Sequence, residues 1–135
     1  MTAARYVLDT NLWTALLKKE VAATGRVREA LSADAQLVVC PVAFYEIYRG
    51  LEYRDARRQM EDFLAYVAAF TWDDFTRADW ETAGRLWATA RHLGHTVADA
   101  DLLIAAYAQR RDAVVVTDNL DHFSPLGVPV ENWRR

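Results

Sequence analysis

The segment RYVLDTN, residues 5–11, joins a short apolar run to an acidic residue. Its first four residues have the length and the composition of a buried strand. Asp9 follows at the point where that strand is expected to end. Burying an unpaired carboxylate is costly, so an acid in this position indicates a functional role for that residue.

The same arrangement occurs twice more. The run LVVC at 37–40 leads into Pro41 and a helical segment that carries Glu46, and the run AVVV at 113–116 leads into Thr117. In open α/β sheets, ligands bind outside the carboxyl ends of the strands. The three segments therefore predict one shared site.

Helical patterns separate the predicted strands, which favours a mostly parallel sheet covered on both faces. We expect an α/β fold: one three-layer α/β/α domain spanning residues 1–135, with a central, mostly parallel sheet of four to five strands. Short apolar segments at 70–72 and 128–130 supply the remaining strands. The second belongs at an edge, because Pro129 cannot donate to a central ladder.

Several helix features are also predicted. Gly25 begins a helix that runs to about Leu31, Pro41 opens the next helix, and Gly94 ends a later one. The helix after Pro41 has an apolar stripe with helical spacing, and its expected buried residues are Phe44, Ile47, Tyr48 and Leu51. Glu46 points away from that stripe.

Composition limits the class of protein. The formal net charge is −3 and Cys40 is the one cysteine, so an internal disulfide framework is excluded and a reducing cytoplasm is expected. No apolar run is long enough to span a bilayer, and we expect no membrane partner. The negative net charge does not exclude an RNA partner. If some of the acids bind metal ions, those cations place positive charge where an RNA phosphate would lie.

A second group of acids supports the predicted site. Asp99 and Asp101 flank the start of an apolar helix, where one acid is also explained as an N-cap, and Asp99 is the candidate for that role. Carboxylates without paired cysteines or a His-x-x-x-His helix suit Mg²⁺ or Mn²⁺ and not structural zinc. With such ions the expected reaction is phosphodiester hydrolysis.

Four motifs carry a resemblance to a known family. They are VLDTN at 7–11, YEIYRGL at 45–51, DADLLIAA at 99–106 and VTDN at 116–119, the last followed by His122 and Phe123. In this order they resemble the motifs of PIN-domain ribonucleases, and most of all the VapC toxin group. The resemblance covers nearly the whole chain, and between residues 54 and 94 only the helical character agrees.

The resemblance implies a Mg²⁺- or Mn²⁺-dependent endoribonuclease that cuts RNA. It also implies a toxin that is neutralised by a cognate antitoxin, and a homodimer. By position, Asp9 and Asp101 would be the principal metal ligands. Glu46 would complete the acidic triad, and Asp99 would support it.

Four further residues have supporting roles by position: Thr10, Asn11, Thr117 and Asn119. Thr10 would hydrogen-bond a ligand carboxylate and hold its geometry. Many PIN domains carry a fourth acid where this chain has Asn119. Whether Asp118 or Asp121 replaces it, and whether one or two metal ions bind, stay open.

Two other functions compete with the toxin. One is a stand-alone RNA-processing PIN nuclease, and the other is a non-catalytic α/β interaction module in which the acids are helix caps. Metal-dependent cleavage of RNA separates the non-catalytic module from the toxin and from the processing nuclease.

If the protein is a toxin, we expect its antitoxin to cover aromatic residues of the early helices and to direct a basic side chain at the carboxylates. These aromatic residues are Trp13, Tyr45, Tyr48 and Tyr53. Trp13 and Tyr45 have two further interpretations, stacking on RNA bases or packing in the core.

Overall fold

The strands of the protein form one parallel sheet. In the computed structural model, which describes residues 3–135, five strands pair in the order β3-β2-β1-β4-β5. Their bounds are Arg5–Leu8 for β1, Gln36–Val39 for β2, Thr71–Trp72 for β3, Val114–Val116 for β4 and Val130–Glu131 for β5. The expected parallel sheet is confirmed, with the two short predicted strands at its edges.

Helices cover both faces of this sheet. Within residues 3–135 they are α1 (Thr10–Leu17), α2 (Val21–Ser32), α3 (Pro41–Tyr53), α4 (Arg57–Ala69), α5 (Arg77–His92), α6 (Asp99–Arg110) and α7 (Leu120–Phe123). The connections from β1 to β3 run toward one edge, and those from β3 to β5 run toward the other. Because such crossovers are right-handed, the reversal places helices on opposite faces, as the α/β/α architecture requires.

The reversal of direction creates a crevice at the carboxyl end of β1. β1 lies between β2 and β4, and connections leave this region toward both edges of the sheet. Such a switch point is where open α/β sheets bind ligands. Asp9 follows β1, Pro41 begins α3 just after β2, and Thr117 follows β4. The three predicted strand ends therefore meet at one place.

Trp13 belongs to the core and not to the surface. Its side chain is 1% exposed, and its ring centre lies 5.1 Å from that of Phe63 and 5.4 Å from that of Phe70. The interpretation of Trp13 as a core residue is therefore confirmed, and the expectation that it contacts an antitoxin or RNA is wrong. The physical reason is that α4 covers the face of α1 on which Trp13 lies, a contact between distant segments.

The helix predictions are confirmed in part. Pro41 is the first residue of α3, and Gly94 follows the end of α5 with φ of +81°, a conformation that glycine adopts without strain. The predicted start at Gly25 is wrong, because α2 begins at Val21. The helix includes Gly25 because an interior glycine costs a helix only about 1 kcal/mol. Its start is held by an ion pair between Arg134 and Glu20, the residue before Val21 (Nη2 to Oε2, 2.9 Å).

The buried stripe of α3 differs from the expected one by a small rotation. Ala43, Ile47 and Leu51 are buried, whereas Tyr48 is 39% exposed and Phe44 is half-buried. The small side chain of Ala43 allows α3 to pack closely, and Tyr48 stacks on Phe44 with ring centres 5.5 Å apart. Among the residues that the structure describes, no helix has both the length and the apolar composition needed to cross a membrane.

Candidate active site

Asp9 directly follows β1, the middle strand of the sheet. It is 4% exposed and occupies the N-cap position of α1. Its Oδ1 accepts a hydrogen bond from the backbone N–H of Thr10 (2.8 Å). Its Oδ2 accepts from Asn11 Nδ2 (3.1 Å) and from the Thr117 hydroxyl (2.9 Å). These bonds fix the orientation of the carboxylate.

Thr117 connects the end of β4 to Asp9. Its side chain is fully buried, and besides donating to Asp9 its hydroxyl accepts from Asn11 Nδ2 (3.2 Å) and from the backbone N–H of Asn119 (3.0 Å). Asn11 also accepts from the backbone N–H of Asp118 (3.1 Å). The supporting residues Asn11, Thr117 and Asn119 thus form one network beneath Asp9, in which Asn119 contributes its backbone.

Glu46 approaches the same place from α3. Its Oε1 accepts a hydrogen bond from the Thr10 hydroxyl (2.9 Å), so Thr10 bonds to a carboxylate as the resemblance implies. The side chain of Glu46 is 23% exposed, and Arg49 Nη2 lies 3.9 Å from its Oε2. That separation leaves Glu46 only weakly paired, because Arg49 is largely exposed and screened by water.

The two acids of α6 occupy different surroundings. The Asp101 side chain is 19% exposed, and its Oδ2 lies 3.3 Å from His122 Nδ1. Asp99 is exposed, and within residues 3–135 its side chain has no hydrogen bond or ion pair. Residues two apart on a helix point about 200° away from each other, which explains the difference. The N-cap explanation for Asp99 is wrong, because Ala98 is the N-cap and Asp99 is the first helical residue.

The last motif and the start of α7 hold two further acids, of which one is paired and one is exposed. Asp118 Oδ2 accepts a 2.6 Å bond from Arg134 Nη1, and the same guanidinium binds Glu20. Asp121 is exposed on the first turn of α7. Asn119 caps α7 without a side-chain hydrogen bond. Arg134 therefore holds Asp118 in an ion pair of its own.

The three carboxylates of Asp9, Glu46 and Asp101 act on one another electrostatically. Burial raises the pKa of Asp9, and the charges of Asp101 and Glu46 raise it further against the hydrogen bonds from Thr10 and Thr117. Burial also raises the pKa of Asp101, where His122 opposes the shift and Glu46 adds to it. Negative charge is thus concentrated at the strand ends, and the ion-pair partners of these acids among the described residues are Arg49, 3.9 Å from Glu46, and His122, 3.3 Å from Asp101.

The donor atoms fit a hard divalent cation in part. Within residues 3–135, no three His, Cys, Asp or Glu side chains form a complete metal-binding group. Mg²⁺ does not require one, since it keeps several waters and uses one or two carboxylates together with substrate phosphates. The carboxylates of Asp9, Asp101 and Glu46 carry oxygen atoms of that kind, and a cation would relieve their mutual repulsion.

His122 is the residue that sequence reasoning did not place. It lies 21 positions after Asp101, so no ligand spacing connects the two, and only the fold brings α7 beside the start of α6. The one available signal is its position directly after the VTDN motif. In the structure it is the nearest basic group to Asp101 among the described residues.

Comparison with known proteins agrees with this arrangement. The family model described as the PIN domain matches residues 6–126. The tRNA(fMet)-specific endonuclease VapC of Salmonella typhimurium is 27% identical over 135 residues, covering 96% of this chain and 98% of the relative. The crystal structure of VapBC2 from Rickettsia felis bound to a DNA fragment from their promoter has a TM-score of 0.85 at 23% identity, with 96% of this chain and 98% of that chain covered. VapBC-5 from Mycobacterium tuberculosis, a member of the VapBC family of toxin-antitoxin systems, has a TM-score of 0.70 at 28% identity, with 98% and 99% covered.

Proposed function

Because the chain belongs to the PIN domain family, we propose that it is a Mg²⁺- or Mn²⁺-dependent endoribonuclease, the toxin of a VapC-type toxin–antitoxin pair. The observation that carries the proposal is that Asp9 and Glu46 both bond to Thr10 just after β1, with the charges of Glu46 and Asp101 acting on Asp9. The substrate is RNA, and the cytoplasm is the place of action. A tRNA is named as the substrate of one relative, which makes tRNA the first substrate to try.

Each acidic residue has a distinct part in this proposal. Asp9, fixed by three hydrogen bonds, and Asp101, beside His122, bind the cation, and Glu46 completes the site from α3. When bound, the cation activates water and neutralises charge on the leaving oxygen. Thr10 keeps Glu46 directed at the site through its hydroxyl. Asp99 stays a prediction as a supporting acid, and its exposure makes it the weakest member of the set.

Cleavage of RNA by the purified protein tests the activity. We expect cutting of single-stranded RNA with Mg²⁺ or Mn²⁺, no cutting with a chelator, and loss of activity in Asp9→Asn and Asp101→Asn while both variants stay folded. Asp34→Asn is a matched control, because Asp34 is exposed in the turn before β2, at the opposite end of that strand, and Asn tolerates its φ of 60°. Full activity in either site variant would refute the assignment.

A groove between α1 and α3 is suited to the antitoxin. It measures about 470 Å³, has Leu17, Ile47 and Leu51 among its apolar residues, includes the cations Lys18 and Arg54, and reaches Glu46. An apolar antitoxin segment would fill it, with acidic groups near the two cations and a basic side chain near Glu46. Such a segment would cover the site and so inhibit it.

Filling this groove tests the antitoxin proposal without touching an acid. Gly50 lines the groove, and a Cβ added there meets Arg54 Nη1 at an ordinary 3.5 Å. Gly50→Tyr should weaken antitoxin binding about tenfold or more and leave RNA cleavage intact. Gly84→Tyr on α5, where a Cβ meets nothing within 4 Å, is the matched control. Equal antitoxin affinity in both variants would refute this site.

Exposed tyrosines of α3 extend the antitoxin surface in this proposal. Tyr48 is 39% exposed and Tyr53 is 92% exposed. If alanine at both positions left antitoxin affinity unchanged, these tyrosines would have no part in antitoxin binding.

We also propose that the protein is a homodimer, as the resemblance implies. Light scattering of the purified protein measures the mass of the assembly directly.

A further inference from the structure

A second groove opens on the other side of Glu46. It measures about 470 Å³ and lies between α3, the start of α5 and the start of α6. Its main residues are Val42, Tyr45, Glu46, Phe75, Trp80 and Leu103. Glu46 lines this groove as well as the one between α1 and α3. A molecule bound here therefore lies next to the acidic site.

Aromatic rings form the walls of this second groove. Tyr45 is 59% exposed and Trp80 is 55% exposed, although both are large and partly apolar. Phe75 packs against Trp80 with ring centres 4.9 Å apart. Flat exposed rings of this kind are the surfaces on which unpaired bases stack, and such stacking tolerates any base.

Trp80 packs on a connected set of aromatic and hydrogen-bonded groups. Phe75 stacks on Tyr107 (5.4 Å between ring centres), and the Tyr107 hydroxyl donates to the carbonyl oxygens of Asp73 (2.6 Å) and Val39 (3.1 Å). The Arg111 guanidinium lies 3.5 Å from the centre of the Tyr107 ring. A surface that is already ordered loses little entropy when a ligand binds.

The charges of the groove distinguish between possible occupants. Among its described lining residues, only Glu46 and Arg49 carry a charge at neutral pH. The Arg49 guanidinium lies 5.0 Å from the centre of the Tyr45 ring and its side chain is 58% exposed, so it is free to meet a phosphate. An apolar slot, one cation and an adjacent acidic site match a nucleotide, in which a flat base is joined to an anionic backbone.

We propose that this second groove binds one unpaired nucleobase of the RNA, next to the phosphate that is cleaved at Asp9, Glu46 and Asp101. The inference rests on the proposed endoribonuclease function and names a subsite of it. Trp80 and Tyr45 hold the base, and Arg49 meets the backbone. The subsite would position the strand and favour single-stranded over paired RNA, because a paired base cannot enter the slot.

Binding measured without cleavage tests the subsite. All proteins carry Asp101→Asn, and fluorescence anisotropy compares a labelled oligoadenylate with an abasic ribose-phosphate strand of the same length and charge. We expect tighter binding of the oligoadenylate. Trp80→Ala should reduce that preference about 5- to 150-fold, the range expected for losing one stacking surface. Trp80→Phe should keep most of the preference.

Trp87→Ala is the matched control for Trp80→Ala. Trp87 also lies on α5 and is 45% exposed, but it is outside the groove. The proposal is overturned if the protein with Trp80 shows no preference for bases, or if Trp80→Ala and Trp87→Ala change it equally. If Trp80→Ala fails to fold, Tyr45→Ala on the other wall replaces it in the same comparison.

Two parallel measurements separate this inference from other failures. If RNA is never cut by the unmodified protein but the base preference depends on Trp80, the nuclease proposal fails and base binding stands. If RNA is cut and the preference ignores Trp80, only the subsite fails. If light scattering shows that Trp80→Ala splits a dimer while the base preference is unchanged, the groove is a protein interface and the proposal is overturned.

Discussion

Replacing Thr117 by valine removes one buried hydroxyl and keeps the shape of the side chain. That hydroxyl donates to Asp9 Oδ2 (2.9 Å) and accepts from Asn11 Nδ2 (3.2 Å) and the Asn119 N–H (3.0 Å). A bond to a charged group contributes about 1.5–3 kcal/mol and a neutral one about 0.5–1.5 kcal/mol. The two bonds from N–H groups are only part-buried, so in the valine variant water partly replaces the lost hydroxyl as their acceptor. We therefore expect a loss of about 3 kcal/mol in the free energy of unfolding.

Urea unfolding followed by tryptophan fluorescence measures this loss. A chelator is included so that bound metal does not contribute to stability. Thr117→Ser keeps the hydroxyl and loses one methyl group, which should cost only about 1 kcal/mol. We expect RNA cleavage to fall in the valine variant and to persist in the serine variant. Equal stability of the two variants would refute the claim that this hydroxyl organises the site.

Two other perturbations give sharp outcomes. Asp79 is fully buried and accepts hydrogen bonds of 2.9 and 3.0 Å from Arg111. Burial opposes the ionisation of Asp79, but these bonds and the bond from the Thr76 N–H lower its pKa. The ionised carboxylate therefore stabilises the fold above roughly pH 4, and this stabilisation is lost as the pH falls below that value. Asp79→Asn should therefore cost about 3–5 kcal/mol at pH 7 by urea unfolding, and that cost should fall by at most about 1.4 kcal/mol per pH unit once the pH drops below about 4; a cost independent of pH would contradict this. Asn119→Asp should lower the Mg²⁺ concentration for half-maximal RNA cleavage, because it adds a carboxylate beside the Asp9 network; an unchanged or higher concentration would argue against a second metal position there.

The sequence predicted the parts of the site that depend on strand ends. Asp9 and Thr117 follow short apolar runs, and parallel strands bring such ends together, so their proximity follows from pattern and topology. The resemblance to PIN domains also gave Thr10 a hydrogen bond to a carboxylate, but it did not identify Glu46 as the acceptor.

Contacts between distant segments were not predictable in the same way. Arg134 reaches Glu20 and Asp118, and His122 reaches Asp101, across separations that leave no periodic signal. The burial of Trp13 also depends on which helix covers α1, because an apolar stripe shows that a face is covered but not by what.

The groove beside Trp80 illustrates a third kind of limit. Its aromatic residues come from α3, α5 and the segment before α5, and each alone resembles an ordinary core or surface residue in the sequence. Only the packing of Phe75 between Trp80 and Tyr107 shows that the rings form one wall.

Sequencing the 5′ ends of RNA treated with the purified protein tests the central claim most directly. The acidic site predicts discrete new 5′ ends in the presence of Mg²⁺, and their loss with a chelator or with Asp9→Asn. The positions of those ends would also identify the RNA that is cut. The same ends at the same abundance in Asp9→Asn would contradict the account, because cleavage would then not depend on the carboxylate at the centre of the site.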